Sequence, residues 1–208
     1  FPHQIEGPVN KKQHRFAVLI PAYREDQVIL EVAADALKQN YPEDNYDIIV
    51  ISDSLQKSTI EKLKKLNIKV IEVNFENSTK SKALNEGLKQ IDENRYDLAL
   101  ILDADNMMER DFLSKVNLRF NDKRKVIQGH RVAKNQNTPF AILDAISEEI
   151  NNNVFRKGHR NLGLSSALIG SAMVFRFRYF KDLMNDVNAI GGFDKQLELK
   201  IITNREVI

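Results

Sequence analysis

Apolar residues follow two alternating rhythms along this chain. FAVLIPAY, Phe16 to Tyr23, is a continuous apolar run cut by Pro21, the pattern of a strand covered on both faces and stopped at its C-terminal end. From Asp26 to Gln39 the apolar positions Val28, Val32, Ala36 and Leu37 keep helical spacing. YDIIVISD is a second buried strand ending in Asp53, SLQKSTIEKLKKLN an amphipathic helix with Ile60, Leu63 and Leu66 on one side, and IKVIEVNF a third strand. STKSKALNEGLKQIDEN opens with a Ser/Thr cap and lines up Ala83, Leu84, Leu88 and Ile91, and LALILDAD is a fourth strand. Strand and helix alternating with short connections predict an α/β fold. Its mostly parallel sheet would be flanked by helices on both faces, since βαβ crossovers are right-handed.

The second half is less regular. KVIQGHRVA predicts a strand, AILDAISEEINNNVFRKG a long helix, and SSALIGSAMVFRFRYF another strand. The first fifteen residues, FPHQIEGPVNKKQHR, are polar with two prolines and predict an extended lead-in ahead of one domain over 16–208. A length of 208 residues suits a single such unit. The chain opens at Phe1 and stops at Ile208 without a recognisable ending. We expect a piece of a longer protein, cut short at its C-terminal end, with any membrane segments outside it.

Composition removes several classes. Lys and Arg number 31 against 29 Asp and Glu, a net charge of +2, and the two signs are mixed along the chain. Nucleic-acid binding needs a clustered basic stripe instead. Cysteine is absent, which excludes a disulfide framework and a thiolate metal site and fits a reducing compartment. No apolar run approaches the roughly 20 residues that span a bilayer, and no signal-peptide pattern occurs. The four histidines, His3, His14, His130 and His159, lack paired metal spacing.

The chemistry gathers at strand ends. In an open parallel sheet, ligands bind beyond the carboxyl ends of the strands. The first, second and fourth strands end there in PAYRED, SDS and DAD. Converging carboxylates repel unless compensated, and Mg²⁺ or Mn²⁺, which take oxygen ligands and leave positions for water and phosphate, are the simplest compensation. Asp105 would bind such a metal directly and Asp103 through water or on the ribose of a nucleoside diphosphate, with Lys80 and Lys82 adding positive charge. Alone, Asp and Asn after a strand are also ordinary turn chemistry.

The segments FAVLIPAYRED, YDIIVISDSL, KSKALNEGL and DLALILDADNMME do not stand alone. In this order and spacing they resemble family 2 glycosyltransferases of the GT-A (Rossmann-like) fold, over about Phe16 to Leu199. The resemblance implies that Pro21, Ala22, Tyr23 and Glu25 hold the nucleotide, that Asp53 contacts its base, and that Lys80 lies close by. It assigns Asp103 and Asp105 to the nucleotide sugar and its Mn²⁺ or Mg²⁺. VIQGHRVAKN and SSALIGSAMVFR resemble the middle region of the family, which points to Gly170 and Ser171 in the sugar and acceptor pocket; a tight turn opening a strand explains them equally. One departure stands out. Where the family carries a Glu-Asp pair whose Asp is the general base, this chain has Lys195 and Gln196, and an amide cannot take a proton. Asp194 and Glu198 flank that position and are the candidate bases.

The expected function is metal-dependent transfer of a sugar, with inversion, from a nucleoside diphosphate to a hydroxyl of a glycan or lipid-linked acceptor, as in polysaccharide biosynthesis. The family's commonest donor is a UDP-sugar, and the parent protein is expected at the cytoplasmic face of a membrane. A domain that binds nucleotide sugar without turnover is the alternative that Gln196 keeps open. A sugar nucleotidyltransferase would need a Gly-rich, Arg-containing loop after the first strand, and a dehydrogenase a G-x-G-x-x-G; PAYRED supplies neither. His130 and Arg131 are candidates to face the pocket. The run RKGHR, Arg156 to Arg160, is a candidate for phosphate or lipid headgroups, or simply a solvated helix end.

Overall fold

The computed structural model describes residues 12–121, 124–133 and 137–208, with all side chains but those of Asp144, Phe155, Arg156, Lys157 and Arg160. Most of the lead-in and most of the RKGHR side chains therefore lie outside the described residues. Eight α-helices, a 3-10 turn (Glu43–Asn45), a π-helical stretch and six strands occur among those described, and the strands form one sheet in the order β3-β2-β1-β4-β6-β5. The strands β1 (Phe16–Tyr23), β2 (Tyr46–Asp53), β3 (Lys69–Val73) and β4 (Leu98–Ile101) run parallel, with Tyr23 beside Asp53 and Leu19 beside Ile101. β6 (Met173–Arg176) runs antiparallel between β4 and β5 (Val126–Gln128).

Side chains alternate across the sheet, so each central strand feeds two cores at once. Leu19, Ile49, Ile51 and Ile101 pack on one face with Leu84 and Leu88 of α3 (Lys80–Lys89), Phe180 of α7 (Phe177–Met184) and Leu197 of α8 (Phe193–Thr203). Val18, Ile20, Ile48, Val50 and Leu100 pack on the other with α1 (Ile29–Ala36), α2 (Lys57–Leu63) and α4 (Phe112–Arg119). This two-sided burial is why β1, β2 and β4 are continuous apolar runs. α3 begins as its sequence predicts, with the Thr79 hydroxyl accepting from the Lys82 N–H.

Three expectations need correction. Of SSALIGSAMVFRFRYF, only Met173–Arg176 is strand. The Phe177 N–H turns away to the Asp97 carbonyl at 2.9 Å, and the chain continues as α7 with Phe177, Phe180, Leu183 and Met184 buried. FRFRYF satisfies both periods locally, and packing against the sheet selects the helix. KVIQGHRVA contracts to Val126–Gln128 because β6 offers only four residues to pair with. The long helix starts earlier, at Pro139 behind a Thr138 cap; α5 (Pro139–Asn151) gives way to a π-helical stretch over Asn152–Gly158 and a last turn, α6 (His159–Asn161). No described helix is long and apolar enough to cross a membrane.

Candidate functional site

The parallel registers bring the C-terminal ends of β1, β2 and β4 to one rim. The Arg24 N–H donates to the Asp53 carbonyl at 3.1 Å, and Asp26 Oδ1 accepts from the Gln56 N–H at 2.9 Å, so the loops after β1 and β2 are tied together. Arg24 (φ 56°) and Ser54 (φ 57°) are both left-handed there, a backbone strain of about 1 kcal/mol or more each that concentrates at functional rims. Pro21 and Ala22 pair with Ile51 and Ser52 within the sheet, while Tyr23 is 47% exposed and the Glu25 carboxylate is exposed without a partner among the described residues. Asp53 is buried. Its Oδ1 accepts from the Ser54 hydroxyl at 3.0 Å, and its Oδ2 has no hydrogen-bond donor among the described residues. Leaving a buried acceptor unmatched costs about 1–3 kcal/mol.

Lys80, the first residue of α3, ties three segments together. Its ammonium pairs with Asp103 Oδ1 after β4, donates to the Gly170 carbonyl at 2.7 Å and lies 5.2 Å from the centre of the Phe193 ring at the start of α8. Lys82, one step further, turns away and donates to the Asn77 carbonyl. Only one of the two lysines therefore reaches the acidic pair. In the turn that follows β4, the Asp103 N–H and the Asn106 amide both donate to Ser171 Oγ, at 2.9 and 2.7 Å, and Ser171 is fully buried. Asp105 is exposed, with no partner for its carboxylate among the described residues.

Ser171 stands between two left-handed residues, Gly170 (φ 80°) and Ala172 (φ 52°). Glycine meets the first at no steric cost, whereas Ala172 is strained. Glu198 is engaged here: its Oε2 accepts from the Leu168 N–H and from Lys195, both at 3.0 Å. Asp194, one turn earlier on the same face of α8, carries a carboxylate with no partner among the described residues. Gln196 Oε1 is buried without a donor among the described residues. Beside the rim a cavity of about 1500 Å³ is lined by Asp105, Gln128, His130, Arg131 and Ser171. His130 and Arg131 do face it, held by Glu149 at 2.9 Å and Glu148 at 3.3 Å from α5. Gln128 and Asn106, which fix the loop and the turn, lie inside the segments VIQGHRVAKN and DLALILDADNMME, but the sequence singled out neither of them.

Residues 17–184 match the family model of glycosyl transferase family 2. The chain belongs to that family. Relatives of this family 2 chain include the Staphylococcus aureus poly(ribitol-phosphate) beta-N-acetylglucosaminyltransferase TarS, 25% identical over 103 residues, covering 48% of this chain and 18% of the relative. The S. aureus poly-beta-1,6-N-acetyl-D-glucosamine synthase is 26% identical over 158 residues, covering 70% of this chain and 37% of the relative. The chain thus spans well under half of the curated relatives it matches. Among solved structures, the mannosyltransferase PcManGT from Pyrobaculum calidifontis, in complex with GDP-Man and Mn²⁺, aligns with a TM-score of 0.65 at 16% identity over 98% of this chain and 57% of that one. TarS 1–349 in complex with UDP-GlcNAc aligns with a TM-score of 0.59 at 16% identity over 89% of this chain and 53% of that one. At such identities the likeness establishes a shared fold.

The donor set constrains what metal this family 2 rim suits. Among the described residues no three His, Cys, Asp or Glu side chains cluster as a closed metal cage. Asp105 is free and Asp103 is half engaged by Lys80. One or two carboxylates fit a hard cation that keeps most of its positions for water and substrate phosphate, which describes Mg²⁺ or Mn²⁺ and not structural zinc.

Proposed function

We propose that the domain transfers a sugar from a nucleoside diphosphate, UDP first among candidates, to an acceptor hydroxyl with inversion at the anomeric carbon. The observation that carries this reading is the meeting of Lys80, Asp103 and the Gly170 carbonyl at the rim of β1, β2 and β4, in a chain of family 2. Pro21, Ala22, Tyr23 and Glu25 border the nucleotide, and the bare Asp53 Oδ2 accepts an N–H from its base, which removes the cost of the unmatched oxygen. Asp105, with Asp103, holds Mn²⁺ or Mg²⁺. Bound there, such an ion supplies positive charge to the diphosphate as it departs.

The chain's own contribution is electrostatic and positional. Lys80 places an ammonium beside the leaving diphosphate, where developing negative charge strengthens the contact. Gly170 and Ser171 shape the floor under the sugar. Asp194, half-buried in the first turn of α8, takes the proton of the acceptor hydroxyl as its oxygen bonds to the sugar carbon; Glu198 is the other candidate base, though its Oε2 already holds the loop. The acceptor is a glycan or lipid-linked sugar of polysaccharide biosynthesis, and the parent protein works at the cytoplasmic face of a membrane. The second reading, nucleotide-sugar binding without turnover, is favoured by Gln196, whose buried amide stands where the family carries its base.

Calorimetric titration of UDP with Mn²⁺ or EDTA, in wild type and Asp105→Ala, tests the first part. Binding that needs metal and disappears in the variant supports it. If UDP, GDP and dTDP all fail to bind, the reading is wrong. Release of sugar from a UDP-sugar donor, present or absent in the protein that binds, separates the two readings.

A further inference from the structure

The loop from Leu168 to Ala172 is gripped by side chains from three elements, α8, α3 and β5. Glu198 takes the Leu168 N–H and Lys80 donates to the Gly170 carbonyl. Gln128, the last residue of β5, holds both flanks of Gly170: its Oε1 accepts from the Ile169 N–H at 3.1 Å, and its Nε2 donates to the Ser171 carbonyl at 2.9 Å and to its own neighbour Gly129 at 2.9 Å. The Gly129 N–H donates to the Ala172 carbonyl at 2.7 Å. Gripping an N–H and a C=O together needs a donor and an acceptor on one planar group. Carboxylates only accept, Lys and Arg only donate, and an amide does both.

From this geometry we infer that Gln128 is a positioning residue for the nucleotide site. Its side-chain hydrogen bonds go to Gly129, Ile169, Ser171 and Ala172, and the turn from Asp103 to Asn106 is reached only through Ser171. By fixing the peptides on either side of Gly170 it sets where Ser171 Oγ stands, and Ser171 Oγ holds the Asp103 N–H and the Asn106 amide. The Asp103 carboxylate then meets Lys80 in one place only. The inference rests on the nucleotide reading for its functional consequence, and on the hydrogen bonds alone for the coupling.

Two variants test it, Gln128→Ala and the isosteric Gln128→Glu. An ionised Glu keeps the bond from the Ile169 N–H but turns an oxygen toward the carbonyls of Gly129 and Ser171; protonated, it recovers one donor, and the surrounding carbonyl oxygens favour that neutral form above the usual carboxylate range. The protection factor of the Asp103 amide against hydrogen exchange, read by NMR, is expected to fall about tenfold in Gln128→Ala at any pH. In Gln128→Glu it should fall similarly at pH 7.5 and return toward wild type near pH 5, with UDP affinity in Mn²⁺ following the same course. A residue that merely fills space would show no such pH dependence. Unchanged Asp103 protection in both variants overturns the inference. Loss of protection in a protein that binds no nucleoside diphosphate supports the coupling and removes the nucleotide reading, so the two failures are distinguishable.

Discussion

In the proposed reading Lys80 and Asp194 carry separate roles at the scale of single residues, and each role implies a separate outcome. Replacing Lys80 by Met removes a charge-assisted partner of Asp103 and the tie to Gly170; a loss of about 2 kcal/mol corresponds to UDP affinity weaker by roughly 30-fold in isothermal titration. Global stability should change little, because the pair is partly solvated. Asp194→Asn should leave UDP affinity intact and lower sugar transfer by about 100-fold or more, the usual contribution of a general base, in an initial-rate assay. Undiminished transfer in that variant would shift the role to Glu198. The residues that a motif places at a strand end were legible in the sequence: the structure brings Asp53, Lys80, Asp103 and Asp105 to one rim, as the spacing predicts. Gln128 was not legible. Its partners Ile169 and Ser171 are some forty residues away, and hydrogen bonds to a remote backbone leave no periodic trace.

At the scale of elements, the end of the sheet opposite the rim is locked by charge. Asp47 on β2 accepts from the Tyr96 hydroxyl at 2.5 Å and from Lys69 of β3 at 3.1 Å, and pairs with Arg95 at 3.0 Å. Burial alone would raise the pKa of Asp47, but the Tyr96 hydrogen bond, Lys69 and Arg95 outweigh it and hold it below the ordinary value. Asp97, bonded by the Arg15 N–H and Lys12, is lowered against burial in the same way. A carboxylate with a depressed folded pKa stabilises above its unfolded pKa of about 3.9, and the contribution is lost as pH falls through the folded value. In urea unfolding, Asp47→Asn should therefore cost about 1 kcal/mol at pH 7, and the gap to wild type should close as the pH drops below about 3.9. Gly129 joins β5 to the Ser171 loop without room for a side chain. A Cβ there would lie 2.9 Å from the Ala172 carbonyl oxygen and 2.9 Å from the Phe112 ring. Gly129→Ala should cost about 1–3 kcal/mol in a thermal melt and weaken nucleotide binding, since the obstruction is backbone that carries the loop. Elements with one dominant period, such as β1, β2 and α3, were legible. α7 was not, because FRFRYF satisfies the strand and helix periods together, and neither α4 nor α8 has a stripe long enough to stand out.

Across the whole molecule, one sheet serves two cores, so no helix layer has apolar support independent of the strands. Thermal unfolding should be a single transition by fluorescence and circular dichroism alike. Leu197 of α8 is fully buried under this sheet. Leu197→Ala should cost about 3 kcal/mol and lower the midpoint by about 6–12 °C, taking the Glu198 anchor of the loop with it. The strand order has a further consequence for the timing of synthesis. β5 is made before β6, yet among the described strands it pairs only with β6, while β6 fills the place between β5 and β4. A ribosome must deliver Met173–Arg176 before Val126–Gln128 has a partner, and by then β1, β2, β3 and β4 have all been made. The parallel half can therefore condense first as the chain emerges, and the Ser171 loop that completes the rim is among the last parts to find its place.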